Sequence, residues 1–119
     1  MNARLIIATL ALAAPPTFAH RLDEYLQGTT ISIESNRLHA EMTLTPGVAV
    51  FPRLIASMDT NADGAISDQE QRAYADAVLG DLTLSIDGRC VMPQLRSARF
   101  PSIADMREGR GEVHVDFDA

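Results

Sequence analysis

Asp59-Thr60-Asn61-Ala62-Asp63-Gly64-Ala65-Ile66-Ser67-Asp68-Gln69-Glu70 decides the reading of this chain. Counting Asp59 as position 1, oxygen-bearing side chains stand at positions 1, 3, 5, 9 and 12, with glycine at 6 and isoleucine at 8. Both flanks are patterned for helices. Upstream, Phe51, Leu54, Ile55 and Met58 are spaced i, i+3, i+4, i+7, which predicts a short amphipathic helix. Pro52 is tolerated there only in a first helical turn. Downstream, Ser67 suits an N-cap, and Glu70 stands three residues on, as in a capping box. Tyr74, Ala77, Val78 and Leu79 continue the second helix and Gly80 ends it.

The donor set belongs to a hard cation. Calcium takes six to eight oxygens at roughly 2.3–2.6 Å. Asp59, Asn61 and Asp63 can turn inward together only if the chain winds tightly, and Gly64 permits the sharp turn. Ala65 offers its backbone carbonyl, Ser67 reaches through a water, and Glu70 returns from the next helix with both oxygens. Ile66 points away and ties the loop to the core. Residues 51–79 thus resemble an EF-hand, with Asp59, Asn61, Asp63, Ala65, Ser67 and Glu70 as the metal positions and Ca²⁺ as the ion. Glu70 cannot serve fully as cap and ligand at once; the ligand role is the expected one. Gln71 departs from the pattern, because an apolar residue is usual at that point of the second helix. Turn formers alone account for Asp-x-Asn-x-Asp-Gly. They do not account for Ile66, Glu70 and amphipathic helices on both sides.

The first 19 residues read as a secretory leader. Arg4 supplies the positive start, Leu5–Ala14 an apolar run broken only by Thr9, and Thr17-Phe18-Ala19 small residues at −3 and −1. Ten residues are too few to span a bilayer. Cleavage near Ala19 leaves residues 20–119, one small domain outside the cytoplasm, periplasmic or secreted. The full chain carries a net charge of −6, and loss of Arg4 deepens the acidity, so nucleic acid is not an expected partner. All ten basic residues are arginine. Cys90 is the only cysteine, which excludes an intramolecular disulfide and thiolate clusters. Its alternating neighbourhood predicts a buried strand thiol.

Around the helix-loop-helix the chain reads as strands. Thr30–Glu34 alternates, Ser35-Asn36 turns, and Leu38, Ala40, Met42 and Leu44 alternate back, a hairpin with one buried face. Leu82, Leu84 and Ile86 lead to Asp87-Gly88, a strong hairpin signal, and Arg89–Met92 returns. Pro93 stops the pairing. Leu95–Phe100 is a further short strand, Ile103–Met106 one helical turn, and Val113, Val115 and Phe117 a last alternating strand. The fold class is α+β: a small antiparallel, sandwich-like β domain with an inserted EF-hand. The last strand stops without a polar tail, so its edge is the expected contact for a protein partner or a membrane segment.

The region after the leader resembles the extracytoplasmic N-terminal portion of bacterial membrane proteins of the hydrogenase/urease nickel-accessory type (HupE/UreJ type). The residues that carry this are His20–Gln27, Leu44–Val50, the EF loop and Phe100–Gly109. The resemblance implies a β domain holding one EF-hand outside the cytoplasm. Members of that group continue into membrane helices, so transport is not implied for this chain.

Three other readings compete with a calcium module. Cleavage after Ala19 gives His20 a free amine beside its imidazole, a chelate for copper that His39 or His114 could complete; both of those read as solvent-facing strand residues. A hydrolase has little support: no nucleophile elbow, no His-Glu-x-x-His and no organised Ser-His-Asp spacing is present, and no catalytic residue is assigned. A dockerin-like role fits poorly, because dockerins use two loops.

Overall fold

The computed structural model describes residues 23–119. The leader and His20 lie outside the described residues. The elements run β1 (Tyr25–Ile33), β2 (Leu38–Pro46), α1 (Phe51–Met58), α2 (Asp68–Gly80), β3 (Leu84–Ile86), β4 (Arg89–Val91), β5 (Gln94–Arg99), α3 (Ile103–Arg107) and β6 (Val113–Asp118). The fold is α+β, as the alternating patterns predict. A four-stranded antiparallel sheet has the order β1-β2-β6-β5, and β3 and β4 form a separate ribbon.

Period-two patterning builds the core. Leu38, Ala40, Met42 and Leu44 of β2 and Val113, Val115 and Phe117 of β6 all face inward. They meet Phe51 and Met58 of α1, Ala75 and Leu79 of α2, and Met106 of α3. Burying each large side chain contributes about 1.5–3 kcal/mol. Pro52 stands in the first turn of α1, where its missing N–H costs nothing. Asp87 and Gly88 both have positive φ, 50° and 77°, the pairing needed for a two-residue hairpin turn. The opposite face of the sheet is polar. There His39 lies across from Asp118, and Glu41 from Asp116. Asp116 accepts a 2.6 Å hydrogen bond from Ser97.

Three expectations are corrected. The final strand is not an edge: β6 lies between β2 and β5, so its backbone is paired on both sides. Non-local pairing with a strand about seventy residues earlier cannot be seen in local periodicity. Cys90 is exposed, not buried, because the β3–β4 ribbon stands apart from the main sheet. The first hairpin buries one face of β2 only; β1 is exposed from Leu26 to Ile33.

Asp118 links three strands. It pairs with His39 Nδ1 at 2.8 Å and Arg96 Nε at 3.4 Å. The His39 hydrogen bond, against a burial cost and with help from the Arg96 charge, holds its carboxyl below the usual carboxylate range. A lowered folded pKa adds stability that is complete above the ordinary carboxylate pKa and is lost as pH falls through the lowered value. Asp118→Asn should therefore flatten the acid side of the stability profile below about pH 4, as read by thermal melts across pH.

Candidate metal centre

α1 ends where the loop begins. Asp59 follows its last turn, with its N–H on the Ile55 carbonyl at 2.8 Å. Two residues then take the left-handed conformation: Ala62 at φ 56° and Gly64 at φ 85°. These reversals turn the loop's backbone N–H groups onto its own side-chain oxygens. Asp63 N–H donates to Asp59 Oδ1 and to Asn61 Oδ1, both at 3.1 Å. Gly64 N–H donates to Asp59 Oδ2 at 2.9 Å, and Ala65 N–H to Asp63 Oδ1 at 3.0 Å. Asn61 Nδ2 reaches Asp63 Oδ2 at 3.2 Å.

Glu70 closes the loop from the far side. Ser67 caps α2: its hydroxyl accepts the Glu70 N–H at 3.2 Å, and its own N–H and hydroxyl donate to Glu70 Oε2, both at 2.9 Å. Oε1 accepts from Thr60 N–H at 2.8 Å, the Thr60 hydroxyl at 3.0 Å and Asn61 N–H at 3.3 Å. One carboxylate thus ties the first residues of the loop to the last. The Ser67 N–H is the foremost cause that brings the Glu70 pKa down to about 2, working against burial and aided by the Ser67 and Thr60 hydroxyls. Capping and metal positions coincide here: Glu70 completes the capping box, and its carboxylate also stands in the acidic cluster.

One carboxylate oxygen each of Asp59, Asp63 and Glu70 lies within 4.8 Å of the other two. Asp59 and Glu70 are buried and Asp63 is exposed, so the cluster opens to solvent on one side. At that spacing each pair of negative charges repels by about 3–4 kcal/mol at an effective dielectric of 20. The inward N–H groups offset part of this. A divalent cation would offset far more, and oxygen donors of this kind suit a hard one. Among the six metal positions read from the sequence, the structure brings the carboxylates of Asp59, Asp63 and Glu70 together. Asn61 joins them through the shared Asp63 N–H. Ala65 is tied in by its N–H, and Ser67 contacts Glu70 rather than the other carboxylates.

Thr60 is the residue the pattern did not single out. Its signal is weak: a hydroxyl at position 2, where many side chains are compatible with the turn. Gln71 is not a packing fault, since its Nε2 donates to the Ile66 carbonyl at 3.1 Å. Ile66 packs against the core, as its position in the loop predicts. The exiting helix is also fixed to the sheet. The hydroxyls of Tyr74 in α2 and Tyr25 in β1 lie 2.7 Å apart, and burial raises the pKa of both. Tyr74 meets Phe100 edge to face at 5.6 Å.

The two histidines among the described residues, His39 and His114, do not come together. On β2, His39 and the residue opposite His114, which is Thr43, are four residues apart, about 13 Å along a strand. His39 pairs with Asp118, and His114 Nδ1 stands 3.5 Å from Glu41.

No protein-family model matches the chain, and no curated protein or solved structure is significantly similar to it. Among the described residues, no helix is long and apolar enough to cross a membrane.

Gly64→Ala should cost about 1–2 kcal/mol, because the left-handed conformation is strained for any residue with a Cβ. Urea unfolding of the two proteins measures the difference. Open space around the Gly64 Cβ position makes backbone strain, not collision, the cause.

Proposed function

We propose that this chain is an extracytoplasmic calcium-binding module that acts by binding and carries no catalytic centre of its own. The observation that carries the reading is the convergence of the Asp59, Asp63 and Glu70 carboxylates within 4.8 Å, where the loop between two helices meets the first turn of the second. The spacing of Asn61, Ala65 and Ser67 around them supports calcium over a smaller ion, because it offers enough oxygens for a large coordination sphere. The pattern of the first 19 residues supports a place outside the cytoplasm. So does the resemblance to extracytoplasmic domains of nickel-accessory-type membrane proteins.

Calcium has a definite task in this arrangement. It neutralises carboxylates that otherwise repel, and it competes with Thr60, Asn61 and Ser67 for the oxygens of Glu70. Glu70 stands in the first turn of α2. α2 lies beside β5 and reaches β1 through the Tyr74 and Tyr25 hydroxyls. A shift of Glu70 toward the ion is therefore passed to the sheet through one helix. The role is structural or sensory, with a protein partner or an attached membrane segment as the reader.

Isothermal titration is expected to find one Ca²⁺ site per chain, with a dissociation constant of about 10⁻⁴–10⁻³ M, as for extracellular modules. Mg²⁺ should bind more weakly. Absence of calcium heat at millimolar concentration would remove the reading.

Glu70→Gln should abolish stabilisation by calcium. At ten times the dissociation constant the wild type gains about 1.4 kcal/mol. The mutant should also lose some stability without calcium, because the amide nitrogen of Gln cannot accept the hydrogen bonds that one of the two Glu70 oxygens accepts. Thermal melts with and without calcium separate the two effects. A calcium-dependent rise equal to that of the wild type would show that Glu70 is not a ligand.

A further inference from the structure

The two edges of the main sheet are built differently. β5 has six residues, a register shift between Leu95 and Ser97, and the charged Arg96 and Arg99. A short strand, a bulge and charge are devices that keep an edge from pairing with another chain. β1 has none of them. It runs for nine residues in unbroken register against β2, without charge or proline. Leu26, Ile31 and Ile33 on it are 45%, 51% and 80% exposed.

Its outward groups can be assigned. Gly47 N–H bonds to the Glu24 carbonyl and Glu34 N–H to the Arg37 carbonyl, each at 2.8 Å. In an antiparallel ladder the hydrogen-bonded pairs alternate. The even-numbered residues between Glu24 and Glu34 therefore turn their backbone groups toward β2. Tyr25, Gln27, Thr29, Ile31 and Ile33 turn theirs toward the edge that no other described strand pairs with. The same five stand opposite Pro46, Leu44, Met42, Ala40 and Leu38, so their side chains share the core side of the sheet. The helices stop short of Ile31 and Ile33, which remain in solvent.

From this edge we infer a docking site for a second copy of the chain, joined β1 to β1 about a two-fold axis at Thr29. Antiparallel pairing about a strand's own midpoint is self-complementary. Tyr25 comes opposite Ile33 of the other copy, Gln27 opposite Ile31, and Thr29 opposite Thr29. Each pair exchanges two hydrogen bonds, so every outward N–H and C=O of the five residues is satisfied. Ile33 and Ile31 gain apolar cover from Tyr25 and the Gln27 stem across the axis. Charge does not oppose this occupant along the strand itself. Two chains of net charge −6 repel, yet the nine residues that meet carry no charge. At each end Glu24 faces Glu34, whose carboxylate is already paired with Arg37 at 3.2 Å. Nine residues extend about 30 Å. Counting both side-chain faces, the contact buries about 1,000 Å² in total, the lower end for specific association. The dimer is therefore weak, with a dissociation constant in the micromolar range.

Sedimentation equilibrium of the full chain carrying Cys90→Ser, which removes the exposed thiol, tests the proposal. A monomer–dimer equilibrium in the micromolar range is expected. Thr29→Pro removes an outward donor and spares the β1–β2 ladder; Ile31→Arg places a charge at the joint. Each should raise the dissociation constant at least tenfold with unchanged far-ultraviolet circular dichroism, and Ile31→Arg serves if Thr29→Pro does not fold. Thr29→Cys in the Cys90→Ser background reads the register. Hydrogen-bonded partners have Cα atoms about 5.5 Å apart, within reach of a disulfide, so oxidation should link the copies there and not at Ser32→Cys. A monomer up to about 1 mM overturns the proposal. So does a dimer indifferent to both substitutions, or linkage at Ser32→Cys as efficient as at Thr29→Cys.

Discussion

One carboxylate organises the inserted helices. Glu70 accepts hydrogen bonds from Thr60 and Asn61 at the start of the loop and from Ser67 at its end. The loop cannot widen without breaking one of these groups of bonds. Ionised Glu70 suits the first turn of α2, where the helix dipole favours negative charge. The same bonds depress its pKa to about 2, so it is ionised throughout the neutral range. Glu70 is thus held in its charged form by these donors, beside the carboxyl groups of Asp59 and Asp63. A site of this kind combines strain and order: the donors fix the oxygens, and the oxygens favour a cation.

Much of the architecture was legible because local physics writes it. Alternation in Leu38–Leu44 and Val113–Phe117 named the two strands that form the centre of the core. The i, i+3, i+4, i+7 spacing placed α1, and Ser67 marked the start of α2. Asp87-Gly88 marked its turn. The acidic positions of the loop were legible for the same reason, since each is spaced to a single short winding. What stayed hidden is non-local. Nothing within Val113–Asp118 says that it inserts between β2 and β5, and nothing beside Cys90 says that its ribbon stands clear of the sheet. Thr60 was missed because its contribution is half backbone, and backbone donors have no sequence signature.

The helices reach the sheet unevenly. α2 lies against β5 and its Tyr74 hydroxyl meets Tyr25 at the beginning of β1. Beyond Tyr25 no helix among the described residues packs on the first strand, and its apolar residues are exposed. The covered part of the sheet is therefore the half nearest the helix-loop-helix and the last strand. The loop and the uncovered strand are connected through that one tyrosine pair, which lies at the boundary between the packed and the bare regions.

The central position of β6 bears on how the chain acquires its shape. β2 and β6 are separated by the 66 residues from 47 to 112, and the sheet is two separate strand pairs, β1–β2 and β5–β6, until they meet. Closing so long a loop is entropically uphill before any contact rewards it. The helix-loop-helix lies within that loop and brings Phe51 and Gly80 into a compact unit, so it shortens the flexible length that must be closed. Folding of the inserted unit and completion of the sheet are in this way kinetically linked, with the local element setting the search distance for the distant one.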